Sequence, residues 1–213
     1  MTGMLIKNGT VVDGTGAPAF AADVRVQDGL ITEVGPNLAP KGERVFDAAG
    51  CQVTPGFIES HTHYDGTMWW QPDLDPLPGY GATTMILGNC GFSPAPLHKY
   101  MPAQREMVGI FSFFEDIPME PFLTNLPWDW NKWSEYKASV EKNVKVPLNY
   151  AAYVGHIAIR LAAMGVEAWE RKATPEEIAK MAELLDDALA AGALGLSDNL
   201  HDHDGDNRPV PTL

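Results

Sequence analysis

The apolar pattern of the sequence changes near residue 54, and this change constrains the fold more strongly than any other feature. Up to that point, short apolar–polar alternations are separated by turn residues, which is typical of antiparallel strands. After it, apolar strand segments alternate with helical segments, as in α/β proteins with parallel strands. The sequence therefore predicts an α/β fold in two parts, a small all-β segment at residues 1–54 and an α/β part at residues 55–213.

The first part carries a strong hairpin signal. Residues 24–27 and 30–34 each alternate between apolar and polar side chains, and Asp28-Gly29 joins them. An Asp-Gly pair favours a two-residue hairpin turn because both residues tolerate positive φ. Asn8-Gly9 is a similar pair, and we predict a second turn there, between two short strands.

Four strands and one helix are predicted in the second part. The helix has Thr174 as its N-cap, Pro175 at its first position and Glu177 as the partner of a capping box, and it ends before Gly192. Its apolar stripe predicts a surface helix that packs on a sheet. The four predicted strands are apolar or β-branched runs at residues 57–63, 82–88, 149–155 and 193–197.

Residues 97–144 form a long connection that is rich in aromatic side chains. Connections of this length without structure of their own are uncommon, so we predict an insertion that is either a lid or a helical excursion. We expect the tryptophans in and near it either to line an apolar substrate pocket or to pack in the core, and packing is the commoner role. These tryptophans are Trp69, Trp70, Trp128, Trp130 and Trp133.

Charge and cysteine content exclude several classes of partner. The net charge of −13 gives a surface that repels phosphate backbones and anionic lipid headgroups, so we expect no nucleic-acid partner and no membrane partner. No stretch approaches the roughly 20 apolar residues that a membrane span needs. Two cysteines, Cys51 and Cys90, are too few for a disulfide framework, which favours a reducing compartment and a cytoplasmic protein.

His61 and His63 are the strongest sign of a functional site. On a strand, side chains two residues apart project from the same face, so both imidazoles and Glu59 are predicted to share one face. Imidazole is a common metal ligand at neutral pH, and barrel enzymes place their sites at the C-terminal ends of parallel strands. The alternative is a pair of hydrogen-bonded histidines without a ligand, which an isolated His-x-His pattern does not exclude.

The surroundings of these histidines resemble a known family. Residues 55–65, which follow a β segment that begins at residues 5–10, are similar to the amidohydrolase superfamily, whose members carry a β-sandwich beside a metal-containing TIM-like barrel. Within that superfamily the chain resembles the N-acyl-D-amino-acid deacylases, and the resemblance implies a partial TIM-like (β/α) barrel preceded by a small β-sandwich segment. The motifs that carry it occur in family order, at residues 88–96, 154–160, 173–178 and 192–197.

The resemblance implies a metal site and an activity. It implies that His61 and His63 bind a divalent metal, normally zinc, with one or two ions per site, and that Cys90 supplies a thiolate where many superfamily members use a carboxylated lysine. The implied activity is hydrolysis of linear amide C–N bonds in small N-acyl amino acids, D-configured, by a zinc-activated water. Two alternatives stay open: a cyclic-amide hydrolase such as a hydantoinase or dihydroorotase, against which Cys90 argues, and a non-catalytic half-barrel that acts as a binding fragment.

Weaker candidates surround these three residues. Asp65 and Glu59, the latter at a position where the family usually has Asp, are candidates for orienting a ligating imidazole. His156 follows the third predicted strand and is a candidate for contacts behind the ligands rather than for metal binding. His201 and His203 lie in an Asp-rich stretch, which we expect to form a solvated polar loop.

We expect the barrel to be incomplete within this sequence. A complete (β/α)₈ barrel takes about 250 residues, more than follow residue 54. The family's remaining ligands and its general base come from later strands, so we expect the general base beyond residue 213 and a C-terminal remainder of the same protein as a partner. Residues 197–200 also depart from the Ser-Thr-Ser-Arg of longer relatives, which leaves substrate preference open.

Overall fold

The computed structural model describes residues 3–97, 101–200 and 203–211. The chain divides into two compact units, residues 1–56 and residues 57–213. Both parallel and antiparallel strand pairs occur, and six α-helices and two short 3₁₀ helices accompany them in the described part of the chain. None of the helices described is long and apolar enough to cross a membrane.

The first unit is a five-stranded mixed sheet. Its strand order is β3-β2-β1-β4, and β5 pairs with β1 in parallel. Val11, Ala22 and Val24 form its small buried core. The residues form one sheet rather than two packed layers. The strands are β1 (Gly3–Val11), β2 (Phe20–Gln27), β3 (Leu30–Gly35), β4 (Arg44–Asp47) and β5 (Gln52–Val53).

The two turn predictions in this unit have different outcomes. The hairpin is confirmed: β2 and β3 are antiparallel with Gln27 opposite Leu30, around Asp28 and Gly29 at φ 49° and 81°. The prediction of a turn at Asn8-Gly9 is wrong, because both residues lie within strand β1. Asn8 does adopt positive φ (62°), but it does so at a register shift of the β1–β2 ladder, so the pair forms an irregularity within one strand.

The second unit is built around short parallel strands. β6 (Phe57–Glu59), β7 (Ala82–Leu87) and β8 (Asn149–Ala152) form a parallel sheet in that order. β9 (Val154–Gly155) and β10 (Leu196–Ser197) form a parallel pair. The predicted strand at 149–155 is therefore interrupted at Tyr153, whose backbone N–H still donates to the carbonyl oxygen of Leu87.

The first predicted strand of this unit is too long. β6 ends at Glu59, and His61 and His63 lie in the loop after it. The backbone N–H and the hydroxyl of Thr62 both donate to the carbonyl oxygen of Ile86, at 3.1 and 2.8 Å. These bonds hold the loop after β6 against the end of β7. His63, the next residue, is the N-cap of a short helix, α1 (Tyr64–Thr67).

Five longer helices complete this unit, and one of them was predicted. That helix begins after Thr174, whose hydroxyl accepts from the backbone N–H of Glu177 while the Glu177 carboxylate accepts from the N–H of Thr174, and it ends at Gly192 with φ 103°. The capping box is thus confirmed. The helices are α2 (Met101–Glu115), α3 (Met119–Asn125), α4 (Trp133–Asn143), α5 (His156–Met164) and α6 (Pro175–Ala191).

The aromatic insertion is a helical excursion. It consists of α2, α3 and α4, and its large side chains lie in the main hydrophobic core of the unit. Trp69, Trp70 and Trp128 pack against that core while partly exposed. The tryptophans therefore pack as core residues, the commoner of the two expected roles. The buried aromatic side chains of the segment include Phe111, Phe122, Trp130, Trp133 and Tyr136.

Candidate metal centre

Three side chains of the kinds that bind metals converge at the ends of two neighbouring parallel strands. His61 and His63 follow β6, and Cys90 follows β7. One ligand atom of each residue lies within 4.8 Å of the others. His61 Nε2 is 3.1 Å from Cys90 Sγ, and the two imidazole centroids are 5.4 Å apart. The structure thus brings the three predicted ligands together, although the histidines lie in a loop and not on a strand face.

The loop that carries Cys90 has an unusual backbone. Cys90 lies at φ 55°, in the left-handed region that non-glycine residues rarely occupy, and Gly88 and Gly91 flank it at φ 70° and 80°. At Gly88 a side chain is excluded, because a Cβ there would lie 2.2 Å from the carbonyl oxygen of Tyr153. Positive φ at a non-glycine residue is commonly maintained by its surroundings at functional sites, and here it presents the thiol to both histidines.

Neighbouring strand ends hold this loop in place. The Asn89 amide donates to the carbonyl oxygens of Thr62 and Ile86, at 3.2 and 3.0 Å. The Ser197 hydroxyl donates to the carbonyl oxygen of Gly88 and accepts from the N–H of Gly91. The Cys90 position therefore depends on the ends of β6, β7 and β10 together.

His63 is enclosed by aromatic side chains. Its side chain is only 7% exposed and stacks on Phe92 with centroids 4.6 Å apart. Burial, and to a smaller extent the charge of His61, lowers the pKa of His63 to about 4. The imidazole is therefore neutral at pH 7, the protonation state that a metal ligand requires. Its Nδ1 atom is buried and has no hydrogen-bond partner in the described part of the chain.

Glu115 is a neighbour of His63 that the sequence pattern did not single out. Its Oε1 atom lies 3.4 Å from His63 Nε2, although 52 positions separate the residues in the chain. Burial raises the pKa of Glu115, and the charge of His61 partly opposes this. Glu115 is the last residue of α2, and no local motif relates it to the histidines.

The weaker candidates lie outside the group of three. Glu59 is half-buried at the end of β6. Asp65 is buried in α1, where burial raises the pKa of its carboxyl to about 7 while hydrogen bonds from the backbone amides of Asp65 and Gly88 oppose the rise. His156 begins α5 and has its Nδ1 3.1 Å from Asp198 Oδ1. His203 is exposed, whereas His201 lies outside the described residues.

The donor set fits a zinc ion. Two imidazoles and a thiolate are zinc ligands of the usual kinds, and three protein ligands with an open position are typical of catalytic zinc sites. The buried Nδ1 of His63 without a hydrogen bond is consistent with a ring held for such a purpose. The exposed side of His61 leaves the group accessible to a small molecule.

The chain is similar in sequence and in structure to known proteins. It is 38% identical over 194 residues to the N-acyl-D-aspartate deacylase of Alcaligenes xylosoxydans xylosoxydans, an alignment that covers 91% of this chain and 36% of that protein. A solved D-aminoacylase, studied for the role of its binuclear metal centre, is 34% identical with a TM-score of 0.76, covering 98% of this chain and 39% of the other.

A second solved structure bears on the metal. It is the N-acyl-D-glutamate deacylase of Bordetella bronchiseptica complexed with zinc and a phosphonate inhibitor, 34% identical with a TM-score of 0.75, covering 92% of this chain and 38% of the other. The chain thus spans less than two fifths of the length of each of these proteins. Residues 44–206 match the amidohydrolase family. That match extends over most of the sequence, and the chain therefore belongs to the amidohydrolase family.

Proposed function

We propose that this chain is the metal-binding part of an N-acyl-D-amino-acid deacylase, a metal-dependent hydrolase of linear amide C–N bonds. The observation that carries the proposal is the convergence of His61, His63 and Cys90 at the ends of adjacent parallel strands. The D-configured substrate class is supported by the names of the relatives, which act on N-acyl-D-aspartate and N-acyl-D-glutamate.

His61, His63 and Cys90 would hold a zinc ion, and zinc bound there would supply Lewis-acid activation of the amide carbonyl and of water. The chain's own residues make the site ready for it. Burial keeps His63 neutral, and the Phe92 stack restricts its ring. The left-handed backbone of Cys90 directs the thiol at the imidazoles.

The proposal includes the rest of a barrel. We infer that β6 to β10 are the first strands of a TIM-like (β/α) barrel and that the first unit is part of a β-sandwich. The parallel order of β6, β7 and β8 and the likeness to D-aminoacylase over 98% of the chain support this. A general base and further ligands would then come from a C-terminal remainder, as the greater length of the relatives suggests.

Cyclic-amide hydrolysis is the competing activity, and Cys90 is the residue that argues against it. The resemblance associates hydantoinase-like and dihydroorotase-like enzymes with a carboxylated lysine at this position. A thiolate is a different ligand in charge, size and softness. Substrate tests therefore include a hydantoin and dihydroorotate beside the linear amides.

The experiment replaces the histidines in a protein that includes the C-terminal remainder. His61→Asn and His63→Asn are each expected to lower kcat/KM on N-acetyl-D-aspartate and N-acetyl-D-glutamate by orders of magnitude without unfolding, because the ligands serve chemistry more than stability. His203→Asn, an exposed histidine outside the group, is the matched control.

Three outcomes would contradict the proposal in whole or in part. Near-normal turnover of either histidine variant in the presence of zinc would exclude the pair as metal ligands. Hydrolysis of the cyclic amides without hydrolysis of any N-acyl-D-amino acid would replace the activity with the competing one. Equal rates on N-acetyl-L-amino acids would remove the preference for the D configuration alone.

A further inference from the structure

We propose that Glu115 is a positioning residue for the metal centre, which acts by fixing the imidazole of His63. The inference rests on the proposed function, because it assumes that His63 is a metal ligand. It adds a residue from the helical segment between β7 and β8, a part of the chain to which neither the sequence motifs nor the family resemblance assigns a role.

The contact joins one carboxylate oxygen to one imidazole nitrogen. Glu115 Oε1 lies 3.4 Å from His63 Nε2, and the two side chains are 31% and 7% exposed. Both residues line one cleft, which is completed by Tyr64, Thr67 and Asp75 among others. The carboxylate therefore meets the neutral imidazole in a partly enclosed place, where the attraction between a charge and a polar ring is screened less than at an open surface.

One face of α2 is directed at His63. Phe111 and Glu115 are four residues apart, the spacing at which helical side chains share a face. The Phe111 ring lies edge-on to His63 at a centroid distance of 6.3 Å, and it also meets Phe92, on which His63 stacks, at 4.9 Å. Helix α2 thus supports the imidazole with an aromatic contact and a polar one.

The polar contact supplies a restraint that the aromatic contacts lack. Stacking on Phe92 sets the plane of the imidazole, but a half-turn of the ring about its Cβ–Cγ bond keeps that plane and exchanges its nitrogen and carbon positions. The Nδ1 atom of His63 makes no hydrogen bond to any residue that the structure describes. A carboxylate next to a ligating imidazole orients the ring and raises its basicity, and loss of such a partner typically weakens metal binding by about 10–100-fold.

The test measures zinc affinity separately from catalysis. Zinc dissociation constants are determined by competition with a chromogenic chelator for the wild-type protein, Glu115→Gln, Glu115→Ala and Asp116→Asn. Asp116→Asn is the matched control, since it removes the same charge from the neighbouring exposed position and Asn tolerates the positive φ of 52° found there. The visible absorption of the Co²⁺-substituted proteins reports on ligand geometry.

We expect both Glu115 variants to bind zinc about 10–100-fold more weakly and to change the Co²⁺ spectrum, while Asp116→Asn stays at the wild-type value. Unchanged thermal unfolding of the metal-free Glu115→Gln protein excludes a folding defect. Glu115 variants that bind zinc as tightly as Asp116→Asn would overturn the inference and leave the proposed function standing. In the protein that includes the C-terminal remainder, weakened zinc binding of the Glu115 variants together with no hydrolysis of any N-acyl-D-amino acid by the wild type would reject the function alone, and a wild type that binds no zinc would overturn both.

Discussion

Gly155→Ala is expected to damage the proposed metal centre without replacing any of its proposed ligands. Gly155 precedes α5 with φ −80°, which alanine adopts without strain, so the effect of the substitution is purely steric. A Cβ at this position would lie 2.3 Å from the carbonyl oxygen of Gly91 and 2.7 Å from the backbone nitrogen of Phe92. Both neighbours are backbone atoms of the loop that carries Cys90, so no side-chain rotation relieves the clash.

The size of the effect follows from these distances. Non-bonded atoms in contact lie about 3.5 Å apart, so the loop has to move by roughly 1 Å. Overpacking of this kind typically costs about 1–3 kcal/mol, and the shift also strains the 2.8 Å hydrogen bond from the N–H of Ile157 to Gly91. Metal–ligand distances tolerate deviations of about 0.2 Å, so a loop shift of this size is expected to weaken zinc binding at least tenfold.

The assay combines zinc affinity with thermal unfolding of the metal-free protein. Gly109→Ala in α2 is the control, because nothing lies within 4 Å of its Cβ position and alanine is favoured over glycine in a helix by about 0.5–1 kcal/mol. We expect Gly155→Ala to lower the unfolding temperature by several degrees and Gly109→Ala to leave it equal or higher. Wild-type zinc affinity in Gly155→Ala would refute the argument that backbone packing places Cys90.

Three further predictions concern the ligands, their support and the helix cap. Cys90→Ala should abolish tight zinc binding, while Cys51→Ala, at an exposed position, should leave the zinc content measured by mass spectrometry unchanged. Ser197→Ala removes both hydrogen bonds of the hydroxyl to the Cys90 loop and should cost about 1–3 kcal/mol of unfolding free energy in denaturant titrations, with weaker zinc binding. The hydrogen bond from Arg171, and to a smaller extent that from the backbone of Thr174, lowers the pKa of Glu177 from 4.5 to about 2. The stability that the Glu177 carboxylate contributes is therefore present above pH 4.5 and lost as the pH falls towards 2. Glu177→Gln should make the unfolding free energy less dependent on pH in that range.

Local features of the fold were predictable because local physics decides them. The Asp28-Gly29 hairpin and the capping box at Thr174 depend on a few adjacent residues, and both are confirmed. The prediction of a turn at Asn8-Gly9 is wrong because contacts distant in the sequence decide the local structure. β1 pairs with β2 on one side and with β4 on the other, so the chain continues as a strand although Asn8 has a positive φ.

The site was predictable only in part. His61 and His63 are close together because they are only two residues apart in the sequence. Their rings therefore lie near each other although the strand ends before them, at Glu59. The meeting of this pair with Cys90 followed from the parallel order of the strands and from the family resemblance. Glu115 could not be predicted in this way, because the packing of α2 brings it next to His63 and no sequence motif relates the two residues.

The helical segment between β7 and β8 therefore links the stability of the unit to the geometry of the metal centre. Its aromatic residues fill the core, and Phe111 packs against both Phe122 and Phe92, so the position of α2 is set by core packing. The same helix places Glu115 beside His63. Substitutions that loosen the core under α2, such as Phe122→Leu, should weaken zinc binding as well as stability, since packed interiors transmit displacements of this kind. In contrast, a substitution on the exposed face of α6 that costs the same stability should leave zinc affinity unchanged, because no aromatic or polar contact joins α6 to His61 or His63 in the described part of the chain.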